Sequence, residues 1–222
     1  MWWDRGMNDR PLADMRVHYD LGRLEESDLA GTLLAQFERW FADAQSGGVI
    51  EPNAMVLGTS EGNMPSARTV LLKDVDRDGF TFYTNVLSRK SVELRLNPKA
   101  SLVFPWYALH RQVVVLGEVV EVSRAEAAEY FAVRPRGSQL GAWASQQSQP
   151  VSREQLDASY AEVDAQFPAE VPIPEFWGGW RIRPTSVEFW QGRESRLHDR
   201  LRFSGSGSLD DPAAWRVIRL SP

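Results

Sequence analysis

Residues 67–85 read Ala67-Arg-Thr-Val-Leu-Leu-Lys-Asp-Val75, then Asp76-Arg-Asp-Gly79, then Phe80-Thr-Phe-Tyr-Thr-Asn85. The first and third segments are rich in β-branched and aromatic residues, which is typical of strands. The middle segment has the Asp and Gly residues that favour a tight turn between antiparallel strands. The sequence therefore predicts a β-meander, which a strand at Ala54–Thr59 precedes.

Six further segments have a strand-like composition. They are Ser101–Trp106, Gln112–Val122, Trp180–Arg183, Ser186–Gln191, Leu201–Phe203 and Trp215–Leu220. Several antiparallel strands at short spacing are typical of a barrel.

Four helices are predicted between the strands. In the first, apolar residues recur at helical spacing from Leu29 to Phe41, after the capping residue Ser27, and Gly47-Gly48 ends the pattern. The others run from Ser88 to Asn97, from Ser123 to Val133 and from Ser152 to Phe167. We therefore expect a mainly β fold with peripheral helices.

The chain is expected to form one domain behind a mobile arm. Residues 1–25 are polar and irregular, which favours an N-terminal arm that acts as a lid. No internal repeat or long linker divides the remainder, so residues 26–222 are predicted to form a single domain.

Composition limits the classes of function. No apolar run reaches the ~20 residues that span a bilayer, and the start lacks a signal-peptide stretch, so we expect a soluble cytoplasmic protein without a membrane partner. The chain has no cysteine and three histidines, which predicts no disulfide, no cysteine nucleophile and no protein-bound metal. Redox chemistry would then need a borrowed cofactor. A net charge of −5 opposes nucleic-acid binding, whereas local arginine clusters suit a small phosphorylated ligand.

Two polar, aromatic segments, 137–148 and 188–200, are poorly suited to a hydrophobic core and indicate a ligand site. Together with Arg68–Lys73 and Tyr83–Lys90 they resemble the pyridoxamine 5'-phosphate oxidase family, and the matches run in order from about Arg16 to Pro222. The resemblance implies an FMN-binding split β-barrel that dimerises, with active sites shared between the two subunits. It also implies oxidation of pyridoxamine or pyridoxine 5'-phosphate to pyridoxal 5'-phosphate by O2, in vitamin B6 salvage.

The resemblance assigns one set of residues to FMN. They are Arg68, Thr69, Val70, Leu71, Lys73, Tyr83, Thr84, Arg89, Lys90, Gln112, Gln147, Ser148, Trp190 and Arg200. Strand alternation would place Arg68 and Lys73 on opposite faces, about 16 Å apart, which suits two anions or one long ligand. Arg89 and Lys90 stand at a predicted helix start, where free N–H groups attract phosphate. Solvated strand ends and an exposed basic helix end are the alternatives.

A second set is assigned to the substrate. It comprises Arg16, Tyr19, Lys73, Tyr130, Arg134, Ser138, Arg196 and His198. Tyr130 and Arg134 share a helix face and Ser138 follows Pro135, so the three side chains can surround a phosphate. A half-buried tyrosine stacked on a surface arginine is the alternative.

Arg196 and His198 are the predicted catalytic residues. They alternate across Leu197, so in an extended segment both would project to one side. The segment of Arg16 and Tyr19 matches the family less closely, since Val17-His18 departs from a more charged pattern.

Two rival functions remain. One is another split-barrel reductase that uses flavin or deazaflavin, because a fold hosts several chemistries. The other is a carrier of pyridoxal 5'-phosphate without turnover. The substrate residues argue against the first, and the flavin motifs argue against the second.

Overall fold

The computed structural model describes residues 18–222, so the prediction for Arg16 lies outside the described residues. Within this range it has nine β-strands and five α-helices. The strands are β1 (Ala54–Glu61), β2 (Met64–Leu71), β3 (Asp74–Asp76), β4 (Gly79–Asn85), β5 (Lys99–Trp106), β6 (Arg111–Glu121), β7 (Trp177–Gln191), β8 (Asp199–Gly205) and β9 (Trp215–Arg219). The helices are α1 (Leu33–Ser46), α2 (Arg89–Leu96), α3 (Arg124–Ala132), α4 (Arg136–Ala144) and α5 (Arg153–Gln166).

All the strands join one antiparallel sheet, in which β7 has three neighbours. The main order is β2-β1-β5-β6-β7-β4-β3, and β8 and β9 branch from β7. Strand β6 pairs with most of one edge of β7. Strand β4 pairs with residues 177–182 of β7, and β8 pairs with residues 186–191. The sheet therefore divides beside Pro184, which confirms the predicted split barrel with peripheral helices.

Helix α1 covers the core of the sheet. Its Phe37 is fully buried and packs edge-on against Phe80 of β4 and Phe104 of β5. Truncating such a side chain to alanine costs about 3–5 kcal/mol of stability. The predicted start at Ser27 is wrong, because residues 26–28 form a separate 3-10 turn and the Thr32 hydroxyl caps α1 by accepting from the Ala35 N–H.

Two strand predictions need correction. The predicted strand Ala67–Val75 is interrupted after Leu71, and β3 begins only at Asp74. The segments Trp180–Arg183 and Ser186–Gln191 belong to the single strand β7. Pro184 lies inside this strand, where the pairing with β6 shifts register between Leu116 and Gly117.

Helix α4 was not predicted. It contains Gly137 and Gly141, which disfavour helix. Packing compensates, because Leu140 is buried in a second apolar cluster with Phe131, Val171 and Trp177. Helices α2, α3 and α5 begin and end close to their predicted residues, with Ser123 and Ser152 capping α3 and α5. Among the described residues no helix is long and apolar enough to cross a membrane.

Candidate functional site

A cavity of about 710 Å³ lies between β2, β4 and the helices α2–α4. Its walls bring together twelve of the residues predicted to bind FMN or substrate. They are Arg68, Thr69, Val70, Leu71, Lys73, Tyr83, Thr84, Lys90, Tyr130, Arg134, Ser138 and Gln147. We call this space the cationic cavity, since two lysines and two arginines line it.

Arg68 and Lys73 both line the cationic cavity, together with Thr69, Val70 and Leu71 between them. Strand β2 ends at Leu71, and Lys73 lies in the connection to β3. Its backbone N–H donates to Thr81 O of β4 at 2.9 Å. Alternation along one strand therefore does not apply to Lys73, which lies beyond the end of β2.

Lys90, in the first turn of α2, is the most enclosed cation of the cavity. Its side chain is held by Ser88 Oγ at 2.8 Å and Gln147 Oε1 at 2.9 Å, and the residue is 8% exposed. Thr84 Oγ1 also donates to Gln147 Oε1, at 3.1 Å. Burial, together with the charge of Arg68, lowers the pKa of Lys90 to about 8. A bound phosphate would reverse that effect by favouring the charged amine.

Arg89 and Ser148 stand at the cavity's edge. The Arg89 backbone N–H donates to Ser148 Oγ at 3.2 Å, and Ser148 has a left-handed backbone with φ +75°. Both predicted FMN residues therefore lie beside Lys90 at the start of α2, although neither lines the cavity wall.

Glu93 pairs with both Arg68 and Arg89. It was not among the residues predicted from the sequence. Its carboxylate, 1% exposed, accepts from Arg68 Nη2 at 3.0 Å, from Arg89 Nε at 2.8 Å, from Ser66 Oγ at 2.6 Å and from the Thr59 hydroxyl. Burial alone would raise the pKa of Glu93, but these hydrogen bonds outweigh it and lower the pKa to about 2. The i,i+4 spacing from Arg89 was the signal that could have found it.

We expect Glu93→Gln to destabilise the protein by about 2–3 kcal/mol near neutral pH, because every partner is a donor and an amide offers one acceptor oxygen. The folded pKa lies below the unfolded value of 4.5, so this contribution is complete above pH 4.5 and declines as pH falls towards 2. Denaturant unfolding of the wild type and of Glu93→Gln between pH 7 and pH 3 measures this difference in the free energy of unfolding. A constant difference across that range would contradict the assignment.

Tyr130, in the last turn of α3, and Arg134, just after that helix, also line the cationic cavity. Tyr130 stacks on Tyr83 at 4.1 Å between ring centroids, and Lys73 Nζ lies 5.9 Å from the Tyr130 ring. Gly179 of β7 permits this stack, because a Cβ there would lie 2.7 Å from Tyr83 Cδ1. The alternative of a tyrosine stacked on the surface arginine does not apply, since the partner of Tyr130 is another tyrosine.

The Arg134 guanidinium lies over an aromatic ring and has an N–H without a hydrogen-bond partner among the described residues. It lies 4.0 Å from the centre of the Trp177 ring, and its buried Nη1 has no hydrogen-bond partner among the described residues. Burial lowers the pKa of Arg134, as expected for a cation enclosed without an anion. Ser138, in the first turn of α4, lines the same wall. This part of the cavity therefore offers donors to an anionic group.

The remaining predicted residues form a second group near the far end of β7. Tyr19 meets His198 edge-on at 5.6 Å and Trp190 at 5.8 Å, and Trp190 lies 4.6 Å from His198. Gln112 of β6 is the register partner of Trp190. The structure thus joins Tyr19 of the predicted arm to the predicted catalytic segment.

The segment of Arg196 and His198 is not extended, so the alternation argument for their shared side is wrong. Residues Glu194–Arg196 form a 3-10 turn, in which Ser195 and Arg196 have φ of +56° and +62°. Non-glycine residues with this backbone are strained and cluster at functional sites. Arg196 is exposed, and His198 is partly buried.

His198 is held in one tautomer. The Arg193 backbone N–H donates to His198 Nδ1 at 3.1 Å, so in the neutral ring the proton is on Nε2. Burial and the charge of Arg196 lower the pKa of His198, which favours the neutral ring at pH 7. His198 can therefore donate one hydrogen bond through Nε2.

Arg200 is already paired. Its Nε and Nη2 donate to the Glu188 carboxylate at 2.8 and 3.0 Å, and Nη1 donates to Ser221 O at 2.9 Å. This fork fixes the guanidinium next to Trp190 on β8 and β7.

The cationic cavity and the second group lie near opposite ends of one strand. Trp177, the first residue of β7, lines the cavity, whereas Trp190 is close to its last residue. A strand of 15 residues measures about 50 Å at 3.3 Å per residue. Trp177 and Trp190 are 13 residues apart, which is at most about 43 Å along an extended strand. The predicted site residues therefore fall into two groups on this chain.

The family comparisons cover most of the chain. Residues 41–167 match the pyridoxamine 5'-phosphate oxidase family, and residues 177–222 match the pyridoxine 5'-phosphate oxidase C-terminal dimerisation region. The chain is 56% identical to the pyridoxine/pyridoxamine 5'-phosphate oxidase of Frankia alni, covering 96% of this chain and 92% of that protein. It is 55% identical to the oxidase of the same name from Salinispora arenicola, covering 96% of each.

Two solved structures share the fold. PhzG from Burkholderia lata, in complex with tetrahydrophenazine-1-carboxylic acid, superposes with a TM-score of 0.81 at 30% identity, covering 90% of this chain and 98% of that one. A pyridoxamine 5'-phosphate oxidase-related, FMN-binding protein from Nostoc punctiforme has a TM-score of 0.68 at 14% identity, covering 84% and 97%. The chain therefore belongs to the pyridoxine/pyridoxamine 5'-phosphate oxidase family, the FMN-dependent oxidoreductases of vitamin B6 metabolism.

Proposed function

We propose that the protein oxidises pyridoxamine 5'-phosphate and pyridoxine 5'-phosphate to pyridoxal 5'-phosphate. The observation that carries the proposal is the cationic cavity, which brings four cations together. We assign Lys90 and Arg68, whose charges interact, to one corner, and Arg134, Ser138 and Lys73, whose Nζ lies 5.9 Å from the Tyr130 ring, to the other. A cofactor phosphate and a substrate phosphate need such a division, because two dianions repel each other at close range.

FMN suits the first corner. Lys90 is buried with only neutral oxygen partners, at Ser88 and Gln147, and Glu93 fixes the neighbouring guanidinium of Arg68. A phosphate here would contact the ammonium group of Lys90 and the guanidinium of Arg68, which Glu93 orients. When bound there, FMN would supply the two-electron oxidation of substrate C4', with O2 as the final acceptor and H2O2 as its product.

The protein's own residues bind and orient the substrate. Arg134, Tyr130, Ser138 and Lys73 hold its 5'-phosphate, which fixes the distance from phosphate to the reacting carbon. Arg196 lies beside that carbon and stabilises charge, while the neutral His198 donates from Nε2 to the pyridine substrate. With the amine, the resulting imine takes up water and releases pyridoxal 5'-phosphate and ammonia. With the alcohol, the aldehyde forms directly.

We further propose that each active site combines the cationic cavity of one subunit with the second group of its partner. The separation of the two groups along β7 favours a site whose two parts come from different chains. The match of residues 177–222 to a dimerisation region supports a homodimer, and this region contains Trp190, Arg196 and His198. A twofold axis would then complete two identical sites.

Mixed dimers test this arrangement. Arg134→Met impairs the cavity and Arg196→Ala impairs the second group, so each homodimer is expected to be nearly inactive. A heterodimer of the two variants has one site with both changes and one intact site, and it should recover about half of wild-type activity. Purification through two different tags isolates it. A heterodimer as inactive as its parents would show that each chain forms its own site.

Product analysis tests the reaction itself. The FMN-loaded protein should convert pyridoxamine 5'-phosphate to pyridoxal 5'-phosphate with one H2O2 and one ammonia per turnover, and should turn over unphosphorylated pyridoxamine far more slowly. If neither phosphorylated vitamer gives an aldehyde and a reduced phenazine carboxylate is oxidised instead, the function would resemble that of PhzG. Tight aldehyde binding without turnover would favour a carrier.

A further inference from the structure

Trp177, at the start of β7, has a buried N–H without a partner. The residue is 8% exposed, and its Nε1 makes no hydrogen bond to any described residue. An unpaired buried donor costs about 1–3 kcal/mol of stability. Native proteins rarely keep such groups without a use, so this N–H needs an explanation.

Trp177 lines the cavity corner that holds Arg134 and Ser138. It also lines an adjoining recess of about 340 Å³, whose wall includes the same two residues. The Arg134 guanidinium lies 4.0 Å from the Trp177 ring centre, and Arg134 Nη1 is the other unpaired buried donor of this corner. Two unpaired donors therefore belong to touching side chains that line the same cavity, and one of them carries a full positive charge.

The surroundings of Trp177 leave its ring little freedom. Phe131 packs edge-on against it at 5.6 Å, and the backbone of Trp177 pairs with Asn85 of β4. The Arg124 guanidinium holds the Trp177 carbonyl oxygen at 2.7 Å. Phe131 at the ring edge and Arg134 over the ring face restrict the indole, while the two backbone contacts fix the position of its Cα. A restricted ring holds its N–H in place, which recognition of an anion requires.

We propose that Trp177 is an additional ligand of the substrate 5'-phosphate, with its Nε1–H donating to a phosphate oxygen and its ring holding the Arg134 guanidinium flat. This inference rests on the proposed function. An indole N–H donates and never accepts, so it favours a phosphate ester over a neutral hydroxymethyl group at the same place. Trp177 therefore contributes to discrimination between phosphorylated and unphosphorylated vitamers.

Trp177→Phe tests the N–H separately from the stacking on Arg134, because phenylalanine keeps an aromatic ring at this position and has no N–H. Trp143→Phe is the matched control, since the Trp143 N–H already donates to Pro172 O at 2.7 Å in the same apolar cluster. The probes are 4-deoxypyridoxine 5'-phosphate and 4-deoxypyridoxine, which lack an oxidisable C4' substituent and differ only by the phosphate. Their binding to the FMN-loaded dimer is followed through the flavin absorbance.

We expect Trp177→Phe to weaken binding of the phosphorylated probe about tenfold and of the unphosphorylated probe less than twofold. The KM for pyridoxamine 5'-phosphate should rise by the same factor, with kcat within twofold of wild type, whereas Trp143→Phe should change neither. Equal weakening of both probes, or no change in Trp177→Phe, would overturn the role of Trp177. A wild-type protein with no preference for the phosphorylated probe would instead contradict the proposed function.

Discussion

Arg134→Met should raise the KM for pyridoxamine 5'-phosphate about 100-fold while FMN stays bound, because loss of one partner from a buried charged pair costs about 2–5 kcal/mol. Arg134 is the cation whose environment most clearly lacks an anion. Its Nη1 is buried without a partner, and Trp177 holds the plane of the guanidinium. Methionine keeps the length and apolar stem but supplies no donor. Steady-state kinetics with a flavin-content assay measure both effects.

Arg136→Met is the matched control for this prediction. Arg136 lies two positions along the chain, but its guanidinium donates outward to Asp164 and to the carbonyl oxygens of Phe167 and Ala169. It should leave the KM unchanged. A parallel rise in KM for both variants, or loss of FMN in Arg134→Met, would show that Arg134 does not bind the substrate phosphate.

Lys90→Met should weaken FMN binding about 100-fold, since a charge-assisted contact to phosphate is lost in a buried place. The wild-type protein should show a related pH dependence. Lys90 has a pKa of about 8 without a bound anion, so above pH 8 FMN must bind together with a proton. Affinity should then fall up to tenfold per pH unit.

Lys90→Arg separates charge from geometry. An arginine stays protonated, so the decline above pH 8 should disappear even if affinity at pH 7 is reduced. Lys99→Met, at an exposed lysine on β5, is the control and should bind FMN like the wild type. Quenching of FMN fluorescence between pH 7 and 9.5 gives the dissociation constants. A slope in Lys90→Arg equal to that of the wild type would assign the titration to another group.

Local signals predicted much of the fold. Serines marked the starts of α2, α3 and α5 within about one residue, and those before α3 and α5 cap the helix with their side chains. The Asp-Gly turn before Phe80 correctly separated β3 from β4. These features depend on neighbours within a few positions. The sequence failed where distant contacts decide, as in α4, whose two glycines are tolerated because Leu140 is buried against another part of the chain.

The residues of the candidate site were likewise predicted only in part. The resemblance supplied twelve residues of the cationic cavity, but alternation along a strand does not apply to Lys73, and it failed for Arg196 and His198. In both cases a strand was assumed where the backbone turns. Glu93 has a local signal in its i,i+4 spacing from Arg89, but its other partners, which include Thr59 and Arg68, lie far along the chain. Trp177 was missed because it contacts Arg134 and Phe131 from a distant part of the sequence.

Anaerobic titration of the flavin-loaded protein tests whether it oxidises a phosphorylated B6 vitamer with FMN. The two titrants are pyridoxamine 5'-phosphate and, separately, pyridoxine 5'-phosphate. We predict that either compound bleaches the oxidised flavin absorbance, and that air restores it with formation of aldehyde and peroxide. A flavin spectrum that neither compound bleaches, at concentrations that saturate binding, would contradict the account.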